Sequence, residues 1–135
     1  MNNTRRKFIA SSVTLAAGTA AAIAAPANVE KGKYPLVHHV FFWLKNPGSV
    51  ADRDRIIEGL KTLRKIDAIK ELRIGVVAST EKRDVVDNSW AVSELMFFEN
   101  LAGQASYQTH PIHQQFIKDC SHLWDKVIVY DAIDA

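Results

Sequence analysis

The run LVHHVFFWLK, residues 36–45, restricts the architecture of this chain more than any other stretch, because it is apolar on both sides of an extended backbone. Side chains alternate across a strand, so Leu36, His38, Val40, Phe42 and Leu44 share one face. Val37, His39, Phe41, Trp43 and Lys45 share the other. β-Branched and aromatic residues mark the run as a strand, and Asn46-Pro47-Gly48 ends it. A strand with two apolar faces must be covered on both. The helices of one small domain cover only one of them, so the second face is expected to meet the sheet of another copy. The run therefore predicts a homodimer.

The remaining elements follow from periodicity. Residues 49–66 read as an amphipathic helix, with Ile56, Ile57, Leu60, Leu63 and Ile66 at helical spacing. Ser49 is its cap, and Asp52 and Asp54 suit its positive end. Residues 69–79 read as a second strand, and 80–88 as a charged connection. Residues 89–98 form a third strand, with Trp90, Val92, Glu94, Met96 and Phe98 on one face. A short helix is expected over 100–109, capped by Asn100. A second begins at Pro111, where the missing N–H costs nothing, and runs to about His122. Residues 125–133 are the last strand. The order β-α-β-β-α-β is that of an α+β, ferredoxin-like monomer, with the second helical region broken at Pro111.

The N-terminus has the pattern of an export signal. Arg5, Arg6 and Lys7 precede an Ala-rich stretch from Phe8 to Ala25, and Ala25-Pro26-Ala27 offers a small-x-small cleavage site. Thr4-Arg5-Arg6-Lys7-Phe8 is similar to a twin-arginine signal, so residues 1–27 are expected to engage that export machinery. The product would be periplasmic or extracellular. An uncleaved amphipathic N-terminus or a lipid-free anchor is the alternative. Residues 28–35 read as a linker, and 36–135 as the folded domain. Removing 1–27 takes away three basic residues and no acidic ones, leaving 14 Lys+Arg against 15 Asp+Glu. The basic balance belongs to the signal, and the electrostatic motive for nucleic-acid binding goes with it. Cys120 is the only cysteine, so no internal disulfide forms.

The chemistry concentrates in YQTHPIHQQF, residues 107–116. On the helix from Pro111, His113, Phe116, Ile117, Cys120 and Trp124 form one apolar stripe that should face the sheet. His113 is then an inward imidazole, kept neutral by burial, which is the form a general base needs. From the residues alone, a satisfied core histidine is the favoured alternative. His110 and His113, three residues apart, could share a metal, but no third ligand is spaced to join them. Otherwise His110 is a helix-start residue in contact with solvent. Tyr107 could donate a proton or polarise a carbonyl, or simply pack under the helix corner. His38 lies on the strand face assigned to the helices, which would put it in one cavity with His113. Glu94 interrupts an apolar strand face, and so belongs to a pocket, a buried pair or an exposed strand edge. No nucleophile elbow or Gly-rich phosphate loop is present.

Three stretches, HHVFFWLK, FFENLAGQASYQTHPIHQQF and WDKVIVYDA, resemble the Dabb family of stress-responsive dimeric α/β-barrel domains. The resemblance spans roughly residues 36–133, and Tyr-x-x-His-Pro-x-His is its most telling part. It implies that the ferredoxin-like monomer pairs so that two sheets close a barrel. A plant polyketide cyclase of the family works without a cofactor in a pocket between sheet and helices. Its essential tyrosine and histidine carry over to Tyr107 and His113, and a first-strand histidine carries over to His38. A further pocket histidine of that cyclase has Val92 as its nearest counterpart here.

These readings imply no cofactor and no metal. The expected catalytic residues are His113 as base and Tyr107 as oxyanion or proton partner. His38, Val92, Glu94 and Phe116 are expected to contact a small apolar or carbonyl-containing ligand. The expected chemistry is a lyase, isomerase or cyclase reaction. The alternatives are a barrel that binds a small ligand without turnover and a cofactor-free oxygenase.

Overall fold

The structure, a computed structural model, describes residues 32–135. The expected export signal, residues 1–27, lies outside the described residues, as do residues 28–31 of the expected linker. The rest of the linker, 32–35, is without regular structure and is tied to the C-terminus. Gly32 N–H donates to Asp134 Oδ2 at 2.6 Å, and Asp134 N–H donates to the Pro35 carbonyl at 3.0 Å.

Four strands form one antiparallel sheet in the order β2-β3-β1-β4. They are β1 (Leu36–Leu44), β2 (Glu71–Gly75), β3 (Val92–Phe98) and β4 (Trp124–Ile133). β1 pairs with β3 on one side and β4 on the other, with Val40 opposite both Glu94 and Val129. Three helices, α1 (Val50–Lys61), α2 (Leu101–Gln108) and α3 (Pro111–Cys120), complete the β-α-β-β-α-β order. The fold is ferredoxin-like α+β, as the sequence predicts.

Each helix start is set by local chemistry. Ser49 Oγ accepts from Asp52 N–H, and Asn100 Oδ1 accepts from Gly103 N–H. Gly48, at φ +81°, makes the turn from β1 into α1, a conformation glycine adopts without steric cost. Pro111 opens α3, and His110 caps it by accepting the Ile112 N–H on Nδ1 at 3.1 Å.

The core lies between the helices and the face of β1 that carries Leu36, Val40, Phe42 and Leu44, all buried. Val92, Met96 and Phe98 continue that face on β3, and Ile56, Leu60 and Leu63 meet it from the helical layer. Each of these large side chains stabilises the fold by roughly 1.5–3 kcal/mol through burial. α1 and α3 approach closely at Gly59, where an added Cβ would stand 2.7 Å from Cys120 Sγ and 2.9 Å from Phe116 Cδ2.

Several boundaries differ from the sequence reading, most by one or two residues. β2 ends at Gly75 rather than Ser79, because its last partner is Ser93 and β3 extends only to Val92. Ser89 and Trp90 precede β3 rather than opening it. The Trp90 indole N–H donates to the Asp87 carbonyl, and the Trp43 indole N–H donates to Ser89 Oγ. The first helix tightens into a 3₁₀ turn over Thr62–Lys65. On the outer sheet face, Val37, His39, Phe41 and Trp43 are half-buried. Phe41 packs edge-on against Trp90 and Tyr130, with centroids at 5.1 and 6.0 Å.

Candidate functional site

A cavity of about 180 Å³ lies between the sheet and the α2–α3 corner. β1 contributes His38, Val40 and Phe42, β3 contributes Glu94, and β4 contributes Val127 and Val129. Tyr107 and Gln108 reach it from α2, and His113, Phe116 and Ile117 from α3. The break at Pro111 sets this geometry, because it turns the end of α2 and the first turn of α3 toward the same strands.

His113 is 6% exposed. Its Nδ1 lies 3.0 Å from the Gln108 carbonyl, which can only accept, so Nδ1 carries the proton. In the neutral ring Nε2 then holds the lone pair. No group among the described residues bonds Nε2, and it is not a sealed, unpartnered atom, so it opens on the cavity. Burial holds the imidazole below its ordinary pKa of 6.5; the Gln108 carbonyl opposes this, and the nearby His38 adds slightly to it. His113 is therefore a neutral base near pH 7.

Tyr107 is the hub of an aromatic cluster. Its ring centroid lies 4.4 Å from that of His113, 5.7 Å from His38 and 5.6 Å from Phe98. Its hydroxyl donates toward Glu94 Oε1 across 3.5 Å, a long contact. Burial first, then the Glu94 carboxyl, push the phenol above its ordinary pKa, so it stays protonated. Glu94 is 1% exposed, and burial raises its pKa to about 8 against the weaker pull of the Tyr107 bond. At neutral pH it is a carboxylic acid.

His38 is held from outside. Its Nδ1 stands 2.5 Å from Oδ1 of the exposed Asp131 on β4, directly opposite in the ladder. The carboxylate fixes the ring and its Nδ1–H tautomer, which leaves Nε2 for the cavity.

His38, Glu94, Tyr107, His113 and Phe116 thus line one cavity. Val92 does not join them: it is fully buried opposite Phe42 in the core, outside the cavity lining. His110 turns its ring to the α3 N-terminus instead. Asp131, the Gln108 carbonyl and the β4 valines were not anticipated. A face assignment for β4 would have put Val127, Val129 and Asp131 on one side, but pairing Asp131 with His38 needs the ladder register.

A larger hollow of about 330 Å³ lies at the other end of β1, around Trp43, Trp90 and Arg53. Its polar side chains are engaged with one another, with the Asp54 carboxylate, or with backbone groups of Asp52 and Asp87. The smaller cavity, which holds the unengaged imidazole nitrogens, is the candidate site.

Comparison with known proteins agrees with the fold. A stress-response A/B barrel domain-containing protein of Arabidopsis thaliana is 29% identical over 79 residues, covering 58% of this chain and 69% of the relative. The hydroxynitrile lyase of Passiflora edulis shares the fold with a TM-score of 0.63 at 22% identity, over 77% of this chain and 96% of that one. A dimeric protein of ferredoxin-like fold from Bacteroides fragilis aligns with a TM-score of 0.58 at 20% identity, over 73% and 94%. The pattern of the stress responsive A/B barrel domain, Dabb, matches residues 36–134, and the chain belongs to that family.

Proposed function

We propose that this protein is a homodimeric Dabb domain that performs cofactor-independent proton transfer on a small carbonyl compound, of lyase, isomerase or cyclase type. His113 Nε2 takes a proton from the carbon beside the carbonyl. The C–H electron pair forms the enolate, and Tyr107 donates a hydrogen bond to the developing oxyanion. The proton then returns from His113 to the rearranged carbon or to the leaving group. His38, fixed by Asp131, positions the ligand, and Phe116 and the β4 valines pack on its apolar part. The precursor carries a twin-arginine signal in residues 1–27, and the product is periplasmic or extracellular.

One observation carries this reading. His113 Nδ1–H donates to the Gln108 carbonyl, which leaves the basic Nε2 facing a mostly apolar cavity beside a protonated phenol. The hydroxynitrile lyase neighbour, a lyase on the same fold, is consistent with it. The test is exchange of the methyl protons of acetophenone in D₂O, followed by proton NMR. The wild-type protein should accelerate exchange over buffer. His113→Ala should remove roughly 10²–10⁴ of that acceleration while leaving the fold intact. Equal exchange by the two proteins would falsify the assignment.

The apolar walls, Val40, Phe42, Phe116, Ile117 and Trp124, favour a second reading, a carrier of a small apolar ligand without turnover. Under it acetophenone binds and its protons do not exchange.

A further inference from the structure

Glu94 is an unusual residue for the middle of a core strand. It is 1% exposed, and its neighbours along the same β3 face are Val92 and Met96. It makes no ion pair with any described residue. The nearest cationic candidates are imidazoles, and both have other partners, His38 on Asp131 and His113 on the Gln108 carbonyl. A carboxylate buried without a counter-charge is strongly disfavoured, so the group holds its proton instead. One oxygen meets the Tyr107 hydroxyl at 3.5 Å. The other has no partner among the described residues and is not sealed off, so it faces the cavity that Glu94 lines. The two O–H groups are too far apart for a strong bond to each other. They are close enough for one ligand oxygen to sit within hydrogen-bonding distance of both.

We propose that Glu94 serves in this cavity as an undissociated acid that, with Tyr107, presents two O–H donors to a single ligand oxygen, making the site selective for enolate, phenolate or carbonyl oxygens. This rests on the reading of the cavity as a ligand site, and gives Glu94 a catalytic role within it. In the proton-transfer step the electron pair released from carbon ends on the oxygen held by the two donors. The abstracted proton stays on His113, and neither donor needs to give its proton up. The titratable groups around Glu94 are Tyr107 from α2, His113 from α3 and His38 from β1, with Asp131 of β4 behind His38; β2 brings only Ile74 to the position beside it. Burial of the carboxyl agrees with the assignment, since it moves the pKa to about 8.

The test uses 4-nitrophenolate as an oxyanion mimic and requires no turnover. Its dissociation constant is measured at pH 8 and pH 10 by NMR titration, with circular dichroism as the check on folding. Wild type should bind at pH 8 and weaken by roughly tenfold or more at pH 10, as the carboxyl ionises and repels the phenolate. Glu94→Gln keeps a donor that does not titrate, so its affinity should be the same at both pH values. Glu94→Leu should bind at least about tenfold more weakly than wild type at pH 8. His113→Ala should keep the wild-type pH dependence, which separates this role from the base. A wild-type affinity independent of pH, or a Glu94→Leu protein that binds as tightly as wild type, overturns the proposal. Absence of binding by folded wild type overturns the ligand-site reading along with it.

Discussion

His113 and Glu94 line the same cavity, and burial moves them in opposite directions because it penalises whichever form is charged. The imidazole is lowered and the carboxyl is raised, to about 8. The effect on stability has opposite signs. For Glu94, the native state keeps a proton that the unfolded chain releases near 4.5. Its contribution is complete below that value and is lost as pH rises through about 8. For His113, the unfolded chain binds a proton first, near 6.5. Its contribution is complete above that value and is lost as pH falls through the lowered one. Between pH 6.5 and 8, of these two groups, only Glu94 acts. Urea denaturation should therefore find the protein losing up to about 1.4 kcal/mol per pH unit across this window, and Glu94→Gln should flatten the slope. Activity should have an acid limb below pH 6.5, where His113 gains its proton, and that limb should be unaffected by Glu94→Gln.

At the scale of elements, the break at Pro111 divides the labour of two neighbouring histidines. His110 caps α3 with its ring, so His110→Ala should cost about 1 kcal/mol in chemical denaturation and leave ligand binding unchanged. Close packing of α1 on α3 depends on Gly59. Gly59→Ala forces a Cβ against Cys120 and the Phe116 ring, and should lower stability by about 1–3 kcal/mol in the same assay. Element types and faces were legible because they rest on local periodicity: the two sides of β1, the buried side of β3 and the inward stripe of α3 all follow from spacing. The end of β2 was not legible, since Val76 and Val77 are strand-like residues but β3 begins only at Val92 and gives the segment beyond Val76 no partner strand. The same limit hid Asp131, which meets His38 across 93 residues of sequence. Carry-over from the resemblance placed Val92 at the site, whereas on β3 the cavity reaches only Glu94, one pleat further along the same face.

At the scale of the whole molecule, the outer sheet face repeats what β1 alone announced. Phe41, Trp43, Leu95, Phe97 and Tyr130 line it without a helix above them, and dimeric proteins share the fold. The homodimer proposed above would cover this face, so Phe41→Glu should give a monomer in sedimentation equilibrium, with the wild type sedimenting as a dimer. The candidate site lies on the opposite side of the same sheet. The account of function therefore depends on the α2–α3 corner rather than on the outer face. Its central claim is tested most directly by ¹⁵N NMR of the His113 ring at pH 7, with and without acetophenone. The account predicts a neutral ring protonated at Nδ1, with an Nε2 resonance that shifts as the ligand is added. An imidazolium, or a ring protonated at Nε2, that does not respond to the ligand would contradict it.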